Sequence, residues 1–268
     1  MSENNAQIYV LHYKEGATIN LPPLYKPLMA GNALLHNQSL ILGDDTNTNI
    51  SAKNRYYSEL TGIYWIWKNT QNEITGTCHY RRFFTTHPEP ILYKVKRLLY
   101  LPIGLYKKHW GLIYTSNIDL FKKKVLTVSE MQQLLEQYDA ILPKARKLKY
   151  TVEKHYSRYH DANDLVLLRE IISEKKPAFV TAFDNVLQSK RMYANNMFVL
   201  RKEIFEEFME WWFELLFEFE KRIDLHSKTG YQQRIFGFIA ERLLNVWFHH
   251  KQLNVVELPI IYFKKLKS

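Results

Sequence analysis

Hydrophobic and polar positions along the chain switch between a short period and a helical one. Ile8 to Leu11 is a compact apolar run that reads as a buried strand, followed by His12 and the loop Tyr13 to Gly16. Residues 20–50 hold Pro22, Pro23, Pro27, Gly31 and Gly43 and read as loop. Ser51 is a candidate helix N-cap. After it Leu60, Ile63, Tyr64 and Trp67 fall at helical spacing, predicting an amphipathic helix to about Lys68. Glu73 to His79 reads as a strand that delivers His79, Tyr80, Arg81 and Arg82 at its carboxyl end. Tyr138 to Leu142 reads as another strand, closed by Pro143. Residues 151–174 read as helix, with Pro177 marking the end. Tyr193 to Leu200 reads as strand and carries Asn195 and Asn196. Lys202 to Arg222 is the clearest helix, because Phe205, Phe208, Met209, Trp212, Leu216 and Phe219 form one core-facing stripe. Tyr231 to His249 predicts a second strong helix, and Val255 to Ile261 a last strand. Strands alternating with helices predict an α/β fold with a mainly parallel sheet. A length of 268 residues fits one domain over 1–268.

Composition narrows the picture. Aromatic residues make up 15% of the chain, which suits a cleft that stacks on sugars and bases as well as it suits a Tyr- and Phe-rich core. Cys78 is the single cysteine, so no intramolecular disulfide forms, which fits a reducing, cytoplasmic setting. The polar start of the chain has no signal-peptide pattern, and no run of about eighteen apolar residues predicts a membrane span. The net charge of +10 points to polyanionic partners: nucleic acid, an anionic membrane surface or phosphorylated small molecules. Nucleic acid has no motif to support it. Residues 91–125 mix bulky apolar groups with Lys94, Lys96, Arg97, Lys107 and Lys108, as an element lying on anionic lipid or a solvated basic excursion would.

Three clusters carry candidate chemistry. His79, Tyr80, Arg81 and Arg82 sit at a strand's carboxyl end, where open α/β sheets bind ligands, and a guanidinium fork matches diphosphate oxygens. Adjacent residues on an extended chain point opposite ways, so one of the two arginines is expected to grip directly. Asp44 and Asp45, then Lys53 and Asn54, lead into a helix N-terminus that favours an anion or sugar hydroxyls. Arg234, Glu241 and Arg242 interrupt an apolar helix pattern, and Gly237 leaves room beside Glu241, a candidate general base. Asp164, near His160 and Asp161, is the second candidate base. Asn195 and Asn196 could read sugar hydroxyls. The chain has no Asp-x-Asp, no H-E-x-x-H and no C-x-x-C, and it lacks the phosphate-loop, dinucleotide and G-x-S-x-G signatures.

In order along the chain, NISAKN (49–54), YSELTGIYWIWKN (57–69), HYRRFF (79–84), NMFV (196–199), WFELL (212–216) and RIFGFIAERLLN (234–245) resemble a bacterial capsular and exopolysaccharide glycosyltransferase family once catalogued as a domain of unknown function. Residues 91–125 are covered least well. The resemblance implies a GT-A-like, Rossmann-related fold. It implies sugar transfer from a nucleotide-sugar donor, UDP-sugars favoured, to a lipid-linked glycan in capsule, O-antigen or lipooligosaccharide assembly. Some members are similar to galactofuranosyltransferases that invert. The donor-side set is then His12, Asp44, Asp45, Lys53, Asn54, His79, Tyr80, Arg81 and Arg82. The acceptor side is Asn195, Asn196, Arg234 and Arg242, with Glu241 or Asp164 as base. Where GT-A enzymes place an Asp-x-Asp pair that holds Mn or Mg, this chain has Cys78-His79-Tyr80-Arg81. Arg81 or Arg82 therefore stands in for the metal, unless Asp44 or Asp45 with His79 holds a divalent cation. The expected location is cytoplasmic, peripheral on the inner face of the membrane. The competing expectation is a non-catalytic assembly protein with a degenerate transferase fold.

Overall fold

The strands alternate their side chains between two cores, and this decides the architecture. The structure is a computed structural model that describes residues 5–14, 18–36, 39–100, 111–264 and 266, excepting the side chains of 96, 97 and 100. Its strands are β1 (Ala6–His12), β2 (Tyr25–Met29), β3 (Leu42–Gly43), β4 (Ile74–His79), β5 (Arg82–Phe84), β6 (Leu112–Thr115), β7 (Ala140–Pro143), β8 (Arg146–Lys147), β9 (Arg191–Met192), β10 (Phe198–Arg201), β11 (Val255–Leu258) and β12 (Ile260–Phe263). Its helices are α1 (Asn54–Tyr57), α2 (Leu60–Asn69), α3 (Ile91–Tyr100), α4 (Ile118–Lys122), α5 (Val128–Gln137), α6 (Val152–Ser157), α7 (Asn163–Lys175), α8 (Val180–Gln188), α9 (Lys202–Arg222) and α10 (Ile235–Lys251).

Tyr9 and Leu11 of β1, Ala140 and Leu142 of β7, and Phe198 and Leu200 of β10 face one core; Ile8, Val10, Ile141 and Val199 face the other. That is the period of two expected of a strand buried on both sides. The first core is closed by α2 and α7 to α10, the second by β5, β6, β12, α4 and α5. The sheet runs β11-β7-β10-β4-β1-β2-β3, with β5, β12 and β6 joined to it off that path. β1 pairs in parallel with β2 and β4, and β11 with β7. β10 runs antiparallel to both β4 and β7. The α/β sheet flanked by helices is thus as expected, with one reversed strand at its centre.

Helix α9 coincides with its predicted span, and its buried positions include Phe205, Phe208, Met209, Trp212, Leu216 and Phe219. Phe208 stacks on Trp212 at 4.7 Å, and Trp212 Nε1 donates to the Ala240 carbonyl of α10 at 3.1 Å. Burying such rings contributes about 1.5–3 kcal/mol each.

Several boundaries differ from expectation, each for a local reason. The proline-rich stretch 20–50 contains β2 and β3. Pro27 is tolerated because its nitrogen faces away from β1, on the side where β3 pairs only from Leu28 onward. Ser51 is not a cap: its hydroxyl is buried, donating to Asp44 Oδ1 and accepting from Ala33 N. Residues 151–174 divide into α6 and α7; α7 ends at Lys175, just before Pro177 as expected, and Pro177 opens a 3-10 turn. Residues 230–234 are a 3-10 turn, so α10 starts at Ile235. The last strand is broken at Pro259 into β11 and β12. No described helix is long and apolar enough to cross a membrane. Residues 101–110 of the basic excursion, Glu15 and Gly16 of the first loop, and Lys265 and Lys267 of the tail lie outside the described residues.

Candidate functional site

The carboxyl ends of β1, β2, β4 and β7 open onto a cleft of about 890 Å³. Parallel strands leave their carboxyl ends at one edge of the sheet, which is where such folds bind ligands. Because β10 runs backwards, the segment before it reaches the same edge. The wall from the N-terminal half holds His12, Asn54, Arg55, Glu59, His79, Tyr80, Arg81 and Arg82. The wall from the C-terminal half holds Arg146, His155, His160, Asn195, Arg234, Glu241 and Arg242, and it touches the first where Arg234 donates to Ser58 Oγ at 3.0 Å and to Glu59 at 3.4 Å.

Asn195 and Asn196 form the floor where the walls meet. They are not in a strand: both take left-handed backbone angles, with φ of 81° and 48°. Asparagine tolerates that region better than other non-glycine residues. Side-chain bonds hold the turn in place. Asn195 N donates to Glu241 Oε1 at 2.7 Å, and Arg146 donates to Asn195 Oδ1 at 3.1 Å. Asn196 Nδ2 donates to Glu59 Oε1 at 2.9 Å and to the Gly237 carbonyl at 3.2 Å. Gly237 thus faces Glu59: a Cβ built on it lies 3.7 Å from Glu59 Oε1. His79 Nε2 lies 2.6 Å from the Asn195 carbonyl. A carbonyl only accepts, so Nε2 carries the proton and Nδ1 is the free lone pair of the neutral ring.

The cleft contains six arginines (Arg55, Arg81, Arg82, Arg146, Arg234, Arg242) against two carboxylates, Glu59 and Glu241. This excess of positive charge sets the protonation of its neighbours. Burial lowers His12 to about 4. Burial, with Arg82 close by, lowers His79 against the pull of Glu59. Burial and Arg242 lower His155; burial also lowers His160, against its bond to Gln232. All four imidazoles are therefore neutral near pH 7. Burial pushes Glu59 upward, but His79, Arg234 and the Asn196 amide outweigh it, so its carboxyl stays below the usual range. Burial and, next, neighbouring Arg146 lower Arg82, against the smaller pull of Tyr262, Glu59 and Glu241.

Among the described residues, several buried polar atoms here have no hydrogen-bond partner: Arg81 Nε, Arg242 Nε, His155 Nδ1 and, at the floor, Asn196 Oδ1. Buried polar groups are nearly always paired, so such a cluster in one cleft leaves bonds open to water or a ligand. Aromatic rings frame one end. Tyr80 lies 5.6 Å from the His12 ring and 5.4 Å from Tyr13, and the Arg81 guanidinium sits over Tyr80 and Tyr262 at 4.9 and 5.3 Å.

Of the residues expected on the donor side, His12, Asn54, His79, Tyr80, Arg81 and Arg82 line the cleft. Both arginines face it, because Tyr80 and Arg81 form the tight turn between β4 and β5 instead of continuing an extended strand. Asp44 does not line it. It is fully buried and accepts from Gly31 N at 2.9 Å, Asn32 N at 3.0 Å and Ser51 Oγ at 2.5 Å. Gly31 is confined to glycine there, with φ of 77° and Asn54 Cγ only 2.3 Å from an added Cβ. Asp45 is exposed beside this turn and also lies outside the lining. Lys53 pairs with Glu220 at 2.7 Å. On the other wall, Asn195, Arg234, Glu241 and Arg242 line the cleft, while Asn196 lies beneath it. Asp164 is buried outside the lining, accepting from Tyr156 Oη at 3.0 Å and Lys228 Nζ at 2.9 Å.

A divalent cation does not fit the expected residues. Asp44 spends its oxygens on backbone and hydroxyl donors, and among the described residues no three His, Cys, Asp or Glu side chains gather closely enough to hold a metal ion. Sequence reasoning missed Glu59, Arg55, Arg146 and His155. Glu59 lies inside the quoted 57–69 motif, where it breaks a mostly apolar run, and that was its available signal.

The architecture has a known counterpart. The chain is similar over 98% of its length to part of a solved structure described as the apo form of the bifunctional glycosyltransferase WbbM, with 30% sequence identity and a TM-score of 0.82. The chain spans 46% of that protein, just under half. The match bears out the expected glycosyltransferase-like α/β fold. No curated protein matches. The profile of the family described as "Domain of unknown function (DUF4422)" matches residues 7–252, and the chain belongs to that family.

Proposed function

We propose that the cleft transfers a sugar from a nucleotide-sugar donor to a glycan acceptor. One observation carries the reading: an arginine-rich cleft at the carboxyl ends of parallel strands, with the Nε atoms of Arg81 and Arg242 unpaired among the described residues and a carboxylate on each wall. Arginines suit a diphosphate because their planar forks match its oxygens. The transferase relative supports the same reading, on the scale of a domain.

In this mechanism the diphosphate lies against Arg81, Arg82 and Arg146. Tyr13, Tyr80 and Tyr262 offer flat faces to the base or sugar. The acceptor hydroxyl attacks the anomeric carbon as the bond from that carbon to the diphosphate oxygen breaks. Negative charge grows on the departing diphosphate, and the fixed guanidinium groups stabilise it there. Glu241 takes the hydroxyl proton. It is the more exposed of the two cleft carboxylates, at 21% against 12% for Glu59, and its second oxygen makes only a 3.2 Å bond, to Arg242. Glu59, tied to Asn196 and Arg234, orients the floor and receives sugar hydroxyls. The sugar inverts if attack comes from the side opposite the diphosphate. A UDP-sugar, galactofuranose among the candidates, and a lipid-linked acceptor of surface-polysaccharide synthesis complete the proposal.

The test is protection from thermal unfolding by UDP-, GDP-, CMP- and dTDP-sugars, with and without EDTA. A ligand at a hundred times its dissociation constant adds about 2.7 kcal/mol of stability. A shift with one nucleotide class, insensitive to EDTA and weakened about 10- to 100-fold in apparent affinity by Arg82→Ala, supports the reading. If no donor shifts the transition, with or without added Mn²⁺, the non-catalytic reading takes its place. One observation favours that alternative: both Glu241 oxygens already accept bonds from the protein.

A further inference from the structure

Helix α3 presents an apolar face that the rest of the described structure leaves uncovered. Ile91, Leu92, Val95, Leu98 and Leu99 are 78, 75, 45, 65 and 69% exposed. At about 100° per residue these five positions fall within an arc of roughly 120° on one side of the helix. Tyr93 falls on the opposite side, and that side meets the protein. Its ring packs 5.6 Å from Phe121, and its hydroxyl lies 3.3 Å from Thr115 Oγ1. The helix is thus fastened by its back, with its apolar stripe turned outward.

Charge decides what covers the stripe. Positions 94 and 96 flank the arc, one on each side, and both are lysine; Arg97 falls nearer Tyr93, away from the stripe. From Pro90 to Ile118 the sequence holds five Lys and Arg residues and no Asp or Glu. A protein partner or a second copy would require acidic groups to meet these cations. An anionic lipid surface supplies them on both flanks while its acyl chains receive the stripe, and lysine stems reach outward along the apolar surface to the headgroups.

We propose that α3 is an interfacial helix that docks the protein on anionic membranes, burying Ile91, Leu92, Val95, Leu98 and Leu99 among the lipids. It rests on residues outside the cleft and stands or falls separately from the transferase reading. The helix is also linked to the cleft: Thr115, which meets Tyr93, pairs with Phe263 in β12, and the preceding Tyr262 lines the cleft.

The experiment is flotation of the full chain with vesicles of phosphatidylcholine alone or mixed with phosphatidylglycerol, comparing wild type with Leu98→Glu/Leu99→Glu. Both positions are exposed, so the variant is expected to melt like wild type. Wild type should float with the anionic vesicles, release in high salt, and lose about tenfold or more of its partitioning in the variant. The proposal is overturned if wild type ignores anionic vesicles or if the variant binds them equally well. It is also overturned if sedimentation shows a wild-type dimer that the variant abolishes, which would assign the face to a second copy. Lys94→Glu provides an independent check: it should weaken anionic binding while leaving the apolar stripe intact.

Discussion

Asp44→Ala tests how the cleft is held up. The carboxylate is fully buried and anchors three donors: the amides of Gly31 and Asn32 and the hydroxyl of Ser51. Gly31 sits in a left-handed conformation against Asn54, which lines the cleft, so the turn has little freedom to find other partners. Removing one partner from a buried pair costs about 1–3 kcal/mol for each donor stranded. Two corrections reduce the sum. Asn32 N is only partly buried, so water replaces some of its bond, and the variant no longer desolvates a carboxylate. The net loss should be about 3–5 kcal/mol, which lies at the upper end for a single substitution. For a chain of this length that is a fall of about 6–20 °C in melting temperature. Urea denaturation at neutral pH, followed by circular dichroism, measures it, with exposed Asp45→Ala expected to stay within about 0.5 kcal/mol of wild type. If Asp44→Ala unfolds within about 1 kcal/mol of wild type, the carboxylate is not a strut. It would then be free to meet a ligand, as its place in the sequence first suggested.

Two further outcomes follow from the cleft. His12 is held near 4 against about 6.5 in the unfolded chain, so between those values the unfolded state binds more protons. Stability is then fully present above pH 6.5 and falls as pH drops toward 4, by about 3 kcal/mol from this residue. His79, His155 and His160 contribute in the same direction. His12→Gln should flatten the slope of stability against pH in that window, and an unchanged slope would remove His12 from the account. Glu241→Gln keeps an acceptor for Asn195 N but cannot take a proton. It should lower turnover by about 10²–10⁴-fold while leaving donor-induced thermal shifts intact, and turnover within twofold of wild type would eliminate Glu241 as base.

The sequence displayed its helices and central strands because their burial repeats. The Phe205 to Phe219 stripe and the apolar run of β1 needed no tertiary knowledge. The arginine-bearing turn after β4 was legible for a similar reason: a strand pattern ends where the polar cluster begins. What stayed hidden depended on strand direction and distant partners. Nothing local marks β10 as reversed, so Asn195 and Asn196 read as strand residues although they turn left-handed beneath the cleft. Asp44 and Asp164 looked like chemistry because a lone carboxylate near a helix start gives the same signal whether it faces solvent, ligand or a buried amide. Arg146 stands in polar surroundings with no periodic frame and His155 on a predicted helix with nothing to mark it, so only the folded sheet brings them beside Asn195 and Glu241.

The asparagine turn also bears on which insertions and deletions the chain can absorb. Met192 is paired with Arg146, Phe198 is paired with Thr77, and Tyr193 is clamped between them by both polar atoms of the Asn245 amide. Only five residues separate the two ladders. A single added or lost residue there would shift both asparagines relative to Arg146, Glu241, Glu59 and Gly237, the partners that hold them. Lengthening the exposed stretch between α9 and α10, by contrast, would leave those partners in place. Length variation across relatives should therefore be absent from 193–197, even where the residues themselves change.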